Sequence, residues 1–228
     1  VEDLPIKDYR VDTEALAKML RNGTALVSME AVCGETGVVW NTREVAQVLH
    51  AHKTPIRLHV DASQAPLTEK LTRAHFDADI LTLDSSKVSS TRGIGALIAH
   101  RTIPIAPLYR GGDQERGLRS GSEAPELARS FAEDLARAAS GRELFRAFAE
   151  KERKILIEFI KNTVPKVYIQ EGRVQAPHIL NLSLPGRDTD YLVALLDEEG
   201  FAISSRSACE TDSEEGSRAV LALTNDQE

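Results

Sequence analysis

Cysteine is scarce in this chain: Cys33 and Cys209 are the two in 228 residues. Two thiols cannot build a disulfide scaffold or a four-thiolate metal site, and a reducing compartment is the plain reading, the cytoplasm being expected with import into an organelle left open. Long apolar runs are missing as well. No stretch approaches the ~20 residues needed to cross a bilayer, so no membrane span is expected. Positive charge is outnumbered, 28 Lys and Arg against 35 Asp and Glu, and the net charge of −7 argues against a nucleic-acid partner or an anionic membrane surface. None of the six histidines has metal-ligand spacing with acids or thiols, so no zinc site is expected. No glycine fingerprint of a phosphate loop or dinucleotide site follows the first strand, which weakens a nucleotide-binding reading.

The remaining composition, 42% hydrophobic and 28% charged, is that of a globular protein able to bury a sizeable core. The chain begins at Val1, and Val1 to Pro5 resembles a connecting segment more than a signal peptide, so it reads as a piece of something longer. Apolar patterning predicts a helix capped by Asp12 or Thr13, a strand from Thr24 to Met29, and a helix capped by Asn41 or Thr42. A strand from Ile56 to Val60, a short helix from Thr68 to His75 and a strand from Ile80 to Leu83 follow. This alternation is the signature of an α/β layer with a mostly parallel sheet.

From Pro125 the character changes. Helices are expected at 126–139 and 144–160, then strands at 167–169 and 178–184, a helix at 189–199, a strand at 201–204 and a helix at 213–223. The expected organisation is part of a large domain over 1–125, connecting helices over 126–162 and part of a smaller α/β domain over 163–228.

Several residues sit where chemistry is expected. Lys87 follows the apolar run Ile80 to Leu83 and precedes Gly93-Ile94-Gly95-Ala96-Leu97. A buried amine there would lose its proton readily and could attack an aldehyde, whereas an arbitrary lysine is usually a solvated surface charge. Asp61 follows a strand end, where open α/β sheets place ligand-contacting groups, and could pair with a protonated pyridine nitrogen or cap the next helix. Gln64 could reach a ring hydroxyl or complete that cap. The run from Gly111 to Ser122 is rich in glycine, arginine and hydroxyls and is either a phosphate cradle or an ordinary polar loop. Cys209, in a Ser-rich loop beside Arg206, is a candidate nucleophile, a buried structural thiol being the alternative.

Taken in order, Cys-Gly-Glu-Thr-Gly at 33–37, His-Val-Asp-Ala-Ser-Gln at 59–64, Lys87 with Gly-Ile-Gly-Ala-Leu, the glycine–arginine segment at 111–122, His-Ile-Leu-Asn-Leu-Ser at 178–183 and Ser-Ser-x-Ser-Ala-Cys at 204–209 resemble the cysteine desulfurases. These are class V aminotransferase-like enzymes of pyridoxal 5'-phosphate fold type I. The resemblance spans nearly the whole chain. It implies the large-domain and small-domain α/β architecture of that fold, incomplete at both ends, with Lys87 as the imine-forming lysine and Asp61 at the ring nitrogen. It further implies Gln64 at the ring hydroxyl, Ser86 near the cofactor, and Cys209 as the thiol that takes sulfur from L-cysteine and passes it to a sulfur-acceptor protein. Iron–sulfur cluster assembly or cofactor thiolation is the implied destination of that sulfur. A homodimer is implied too, with Ser122 reaching the phosphate of the partner's cofactor.

The chain departs from the family's pattern at specific places. Asp84 and Ser86 stand where the family has serine and histidine ahead of the lysine, Gly34 replaces an asparagine, and Arg206 replaces a glycine. A carboxylate at Asp84 would repel a phosphate unless a proton or an arginine compensates. These departures motivate a second reading, a homologue that keeps the fold as a dimerisation or interaction module. Another class V aminotransferase or lyase is a third.

Overall fold

The computed structural model describes residues 1–205 and 217–224. The chain opens with a small antiparallel pair, β1 (Ile6–Lys7) and β2 (Arg10–Val11), followed by α1 (Thr13–Met19). Asp12 caps α1, its Oδ1 accepting from the backbone N–H of Glu14 and Ala15 at 3.0 Å each. Next come β3 (Leu26–Glu30), α2 (Thr42–His50), β4 (Arg57–Asp61), α3 (Arg73–Phe76), β5 (Ile80–Asp84) and β6 (Gly95–Ala99). The central sheet has the order β3-β4-β5-β6, with the first three strands parallel and β6 antiparallel to β5.

Alternation in β3, β4 and β5 separates the two faces of this sheet. Val27, Met29, Leu58, Val60, Leu81 and Leu83 are buried, and they pack with Leu16, Val45, Leu49 and Phe76 from the helices. The intervening residues make the opposite face, where Ser28 Oγ bonds His59 Nδ1 at 2.7 Å and His59 Nε2 bonds Thr82 Oγ1 at 3.0 Å.

The second half of the chain is led by α4 (Pro125–Thr163), a single 39-residue helix. The two helices expected at 126–139 and 144–160 are therefore one. Ser140 and Gly141 lie between the two expected ranges, but one internal glycine costs a helix only ~1 kcal/mol, which the contacts on either side outweigh. Phe131 is buried in the main core, Arg146 Nη1 bonds Glu69 Oε1 at 3.1 Å, and Arg153 is buried against Glu171 and the Ile179 carbonyl. Pro125 opens the helix, where its missing N–H leaves no bond unmade.

Beyond α4, β7 (Tyr168–Gln170) pairs antiparallel with β8 (Asn181–Ser183). α5 (Thr189–Glu198) and α6 (Arg218–Thr224) follow. Other expectations need adjustment. The helix expected over 68–75 is confined to α3, because the backbone around Pro66 instead forms turns whose N–H groups (Thr68 and Glu69) both bond the Ala65 carbonyl. Residues 201–204 form no strand and pair with no strand among the described residues. The strand expected over 178–184 shortens to β8. The first part of the helix expected over 213–223 lies outside the described residues.

The segment after β3 joins the two halves. Ala176 N–H bonds the Gly37 carbonyl at 2.8 Å, and the Gln175 amide bonds the Thr36 carbonyl at 2.7 Å. Gly37 has φ of +76°, and a Cβ there would lie 2.5 Å from Gln175 Nε2. Only glycine meets both demands.

Candidate active site

Parallel strands deliver their carboxyl ends to one edge of the sheet, and each of the three here ends in an acid. Glu30 ends β3, Asp61 ends β4 and Asp84 ends β5. Glu30 and Asp61 are register partners, so their Cα atoms lie on adjacent strands about 4.8 Å apart. Asp61 pairs in turn with Thr82. Such an edge is where open α/β sheets bind ligands.

Asp61 is exposed, and its Oδ1 accepts from Ser63 N–H at 2.9 Å. This is a local turn bond, since no helix follows directly. Gln64 lies in the same turn and packs on Gly34: a Cβ added to Gly34 would fall 2.8 Å from Gln64 Nε2. Gly34 thus leaves room for the Gln64 amide. Lys87 ends a three-residue 3-10 turn, Ser85–Lys87, directly after β5. Burial had been expected for this lysine, but its side chain is exposed, because the turn carries it past the sheet edge.

Glu30 was not anticipated as part of the edge. The strand was expected to stop at Met29, which left Glu30 in a loop. In the structure Glu30 Oε1 accepts from Trp40 Nε1 at 3.1 Å. Burial raises the Glu30 carboxyl above its ordinary pKa against this bond, and the nearby charge of Asp61 adds to the rise. Burial likewise raises the Cys33 thiol, with Glu30 contributing. A buried, raised thiol is a poor nucleophile.

Asp84 behaves in the opposite way. Its Oδ1 accepts from Ser86 N–H at 2.9 Å and its Oδ2 from Ser86 Oγ at 2.6 Å. The bond from the Ser86 hydroxyl, followed by that from its backbone N–H, holds Asp84 below the usual carboxylate range, with Lys87 and Arg92 contributing charge. The proton that could have made Asp84 compatible with a phosphate is thereby disfavoured. The Ser86 hydroxyl is spent on Asp84. Ser122 lies in exposed coil before α4, and no hydrogen bond or ion pair joins it to this edge among the described residues. Cys209 lies outside the described residues; Ser204 and Ser205 ahead of it are exposed.

These residues fit a pyridoxal group unevenly. The ring end fits, because a carboxylate, an amide and an amine stand at the ends of neighbouring strands with a glycine leaving space. The phosphate end fits less well, because the Asp84 carboxylate stands there with the Ser86 donors already bonded to it, although Lys87 and Arg92 bring positive charge near it.

The sequence profile of the Aminotransferase class-V family matches residues 1–228. The chain belongs to that family. It is 31% identical over 230 residues to a mitosomal cysteine desulfurase of Trachipleistophora hominis, covering 97% of this chain and 51% of that protein. A mitochondrial cysteine desulfurase of Arabidopsis thaliana is 30% identical, covering 99% of this chain and 50% of that protein. A solved NifS-like protein superimposes with a TM-score of 0.88 at 26% identity, covering all of this chain and 59% of its own. The class-V chain thus spans about half the length of the relatives it matches. The α/β fold expected from the resemblance is the observed one, with a mostly parallel central sheet. No helix among the described residues is long and apolar enough to cross a membrane.

Proposed function

We propose that this chain is part of a pyridoxal 5'-phosphate-dependent cysteine desulfurase that moves sulfur from L-cysteine to Cys209 and releases alanine. The observation that carries the reading is the placement of Asp61 and Lys87 at the carboxyl ends of adjacent parallel strands, within a family whose named relatives are cysteine desulfurases. When bound, the pyridoxal ring supplies an electron sink. The chain's own residues supply the rest. Asp61 holds a proton on the ring nitrogen, Gln64 offers its amide to the ring hydroxyl, and Lys87 moves the substrate α-proton. The Cys209 thiolate attacks the substrate sulfur and retains it as a persulfide for an acceptor protein. A homodimer in which Ser122 serves the neighbouring site belongs to this reading, as does a reducing compartment such as the cytoplasm. So do the large-domain share over 1–125 and the small-domain share over 163–228.

The test is sulfide release from L-cysteine by the full-length protein, with reductant as acceptor. Activity is expected to vanish in Lys87→Ala and in Cys209→Ala. Full activity in Cys209→Ala overturns the sulfur-transfer assignment. Asp84 favours a second reading, a homologue that keeps the fold as a dimerisation or interaction module; a full-length protein that stays colourless in excess pyridoxal phosphate supports it.

A further inference from the structure

Two acids on this edge, Glu30 and Asp84, have no part in the proposed reaction, and Asp84 is the one whose two oxygens are both bonded by the turn that carries Lys87. It ends β5 opposite Gly95 of β6, and its side chain caps the turn that carries Lys87. Both carboxylate oxygens accept from a single residue: Oδ1 from Ser86 N–H at 2.9 Å and Oδ2 from Ser86 Oγ at 2.6 Å. Two bonds from one neighbour fix both the position and the orientation of the charge. They also consume the donors that Ser86 offers, so a ligand arriving at this end of β5 finds those donors occupied and meets the Asp84 carboxylate, with Lys87 and Arg92 as the cations near it. A like charge nearby disfavours an ionised ligand group, and Asp84 is held ionised by the bonds from Ser86.

The geometry points to Asp84 as a specificity-determining residue that selects against a phosphate dianion at the end of β5, so the site discriminates less than expected between pyridoxal 5'-phosphate and unphosphorylated pyridoxal. The inference rests on the pyridoxal reading above and adds the charge preference of the ligand's tail. Both Asp84 oxygens are engaged by Ser86, and the effect inferred for the carboxylate is on the tail alone. Removing its charge should therefore change the affinity for one ligand and not the other. A merely structural role would change both.

The experiment is calorimetric titration of the full-length protein with pyridoxal 5'-phosphate and, separately, with pyridoxal. Wild type is compared with Asp84→Ser and with Asp84→Asn, which keeps the shape of the side chain if the serine variant fails to fold. Removing the charge is expected to tighten the phosphate ester about tenfold while pyridoxal changes by less than about twofold. An unchanged ratio of the two affinities in a folded variant, or a weaker phosphate ester, overturns the inference. If that happens while Lys87→Ala still abolishes the visible colour of the bound aldehyde, the pyridoxal reading survives and only the role of Asp84 falls. If neither ligand binds any variant, both fall together.

Discussion

The sheet region and the helical region beyond it use apolar residues in opposite ways. In β3, β4 and β5 every second residue is apolar and buried, and one face holds Leu58, Val60 and Leu81 at 1% exposure or less. Along α4 the apolar residues divide between sides. Phe131 is buried near the start, whereas Leu144, Phe148, Ile155 and Phe159, spaced by four, seven and four residues, form an exposed stripe along one side. Phe201 and Ile203 are exposed as well. Periodicity against a neighbouring layer decides which residues leave water. Stability should therefore be concentrated in the sheet.

The sharpest way to break this comparison is a pair of truncations. Leu81→Ala is expected to destabilise by about 3–5 kcal/mol, since it opens a cavity among close-packed side chains. Phe148→Ala, at a larger but exposed residue, should change stability by less than about 0.5 kcal/mol. Urea unfolding of both variants checks the contrast, and equal losses would refute it.

Arg153 is the exception within α4. It is buried, pairs with Glu171 and donates to the Ile179 carbonyl, so it ties α4 to the segment carrying β7 and β8. Arg153→Ala should lower stability by about 1–3 kcal/mol by leaving these acceptors short of a donor. Arg153→Lys should recover only part of the loss, because an ammonium cannot reproduce the fork. Thermal unfolding of the two variants measures the difference.

A third change sharpens the seam between the regions. Gly37→Ala forces a side chain onto a backbone with positive φ and into the Gln175 amide, and a loss of about 1–2 kcal/mol in chemical unfolding is expected.

The smallest effect concerns charge at the sheet edge, and its sign follows from burial. The folded-state pKa of Glu30 is raised, so the favourable neutral form is fully present below the unfolded pKa and is lost as pH rises through the folded pKa. Glu30→Gln should then be more stable than wild type at about pH 8 and lose that advantage near about pH 4. A pH series of thermal midpoints checks this, and an advantage independent of pH would remove Glu30 burial as the cause.

Much of the sheet was legible because strand alternation is a local signal. Residues 56–60 and 80–83 fall within one position of β4 and β5. The motif around Asp61, Gln64 and Lys87 was legible for a related reason: each lies just past the carboxyl end of an apolar run, and topology carries those ends to one edge. Other features were not legible. The continuity of α4 across Ser140 and Gly141 depends on anchors on both sides, Phe131 in one core and Arg153 against Glu171. The single residue by which β3 outruns its expected end depends on pairing with β4, which turned Glu30 from a loop residue into a neighbour of Asp61.

The amino-acid sequence by itself determined that this is a class-V α/β chain with an amine and a carboxylate at strand ends, because apolar period and residue order are written along the chain. Only the tertiary structure decided the state of those groups. Lys87 is exposed, Glu30 is raised by burial, and Asp84 is held as an anion by two bonds from Ser86. Burial and hydrogen-bond partners arise from neighbours distant in sequence or from turn geometry, and these set the charge that a ligand meets.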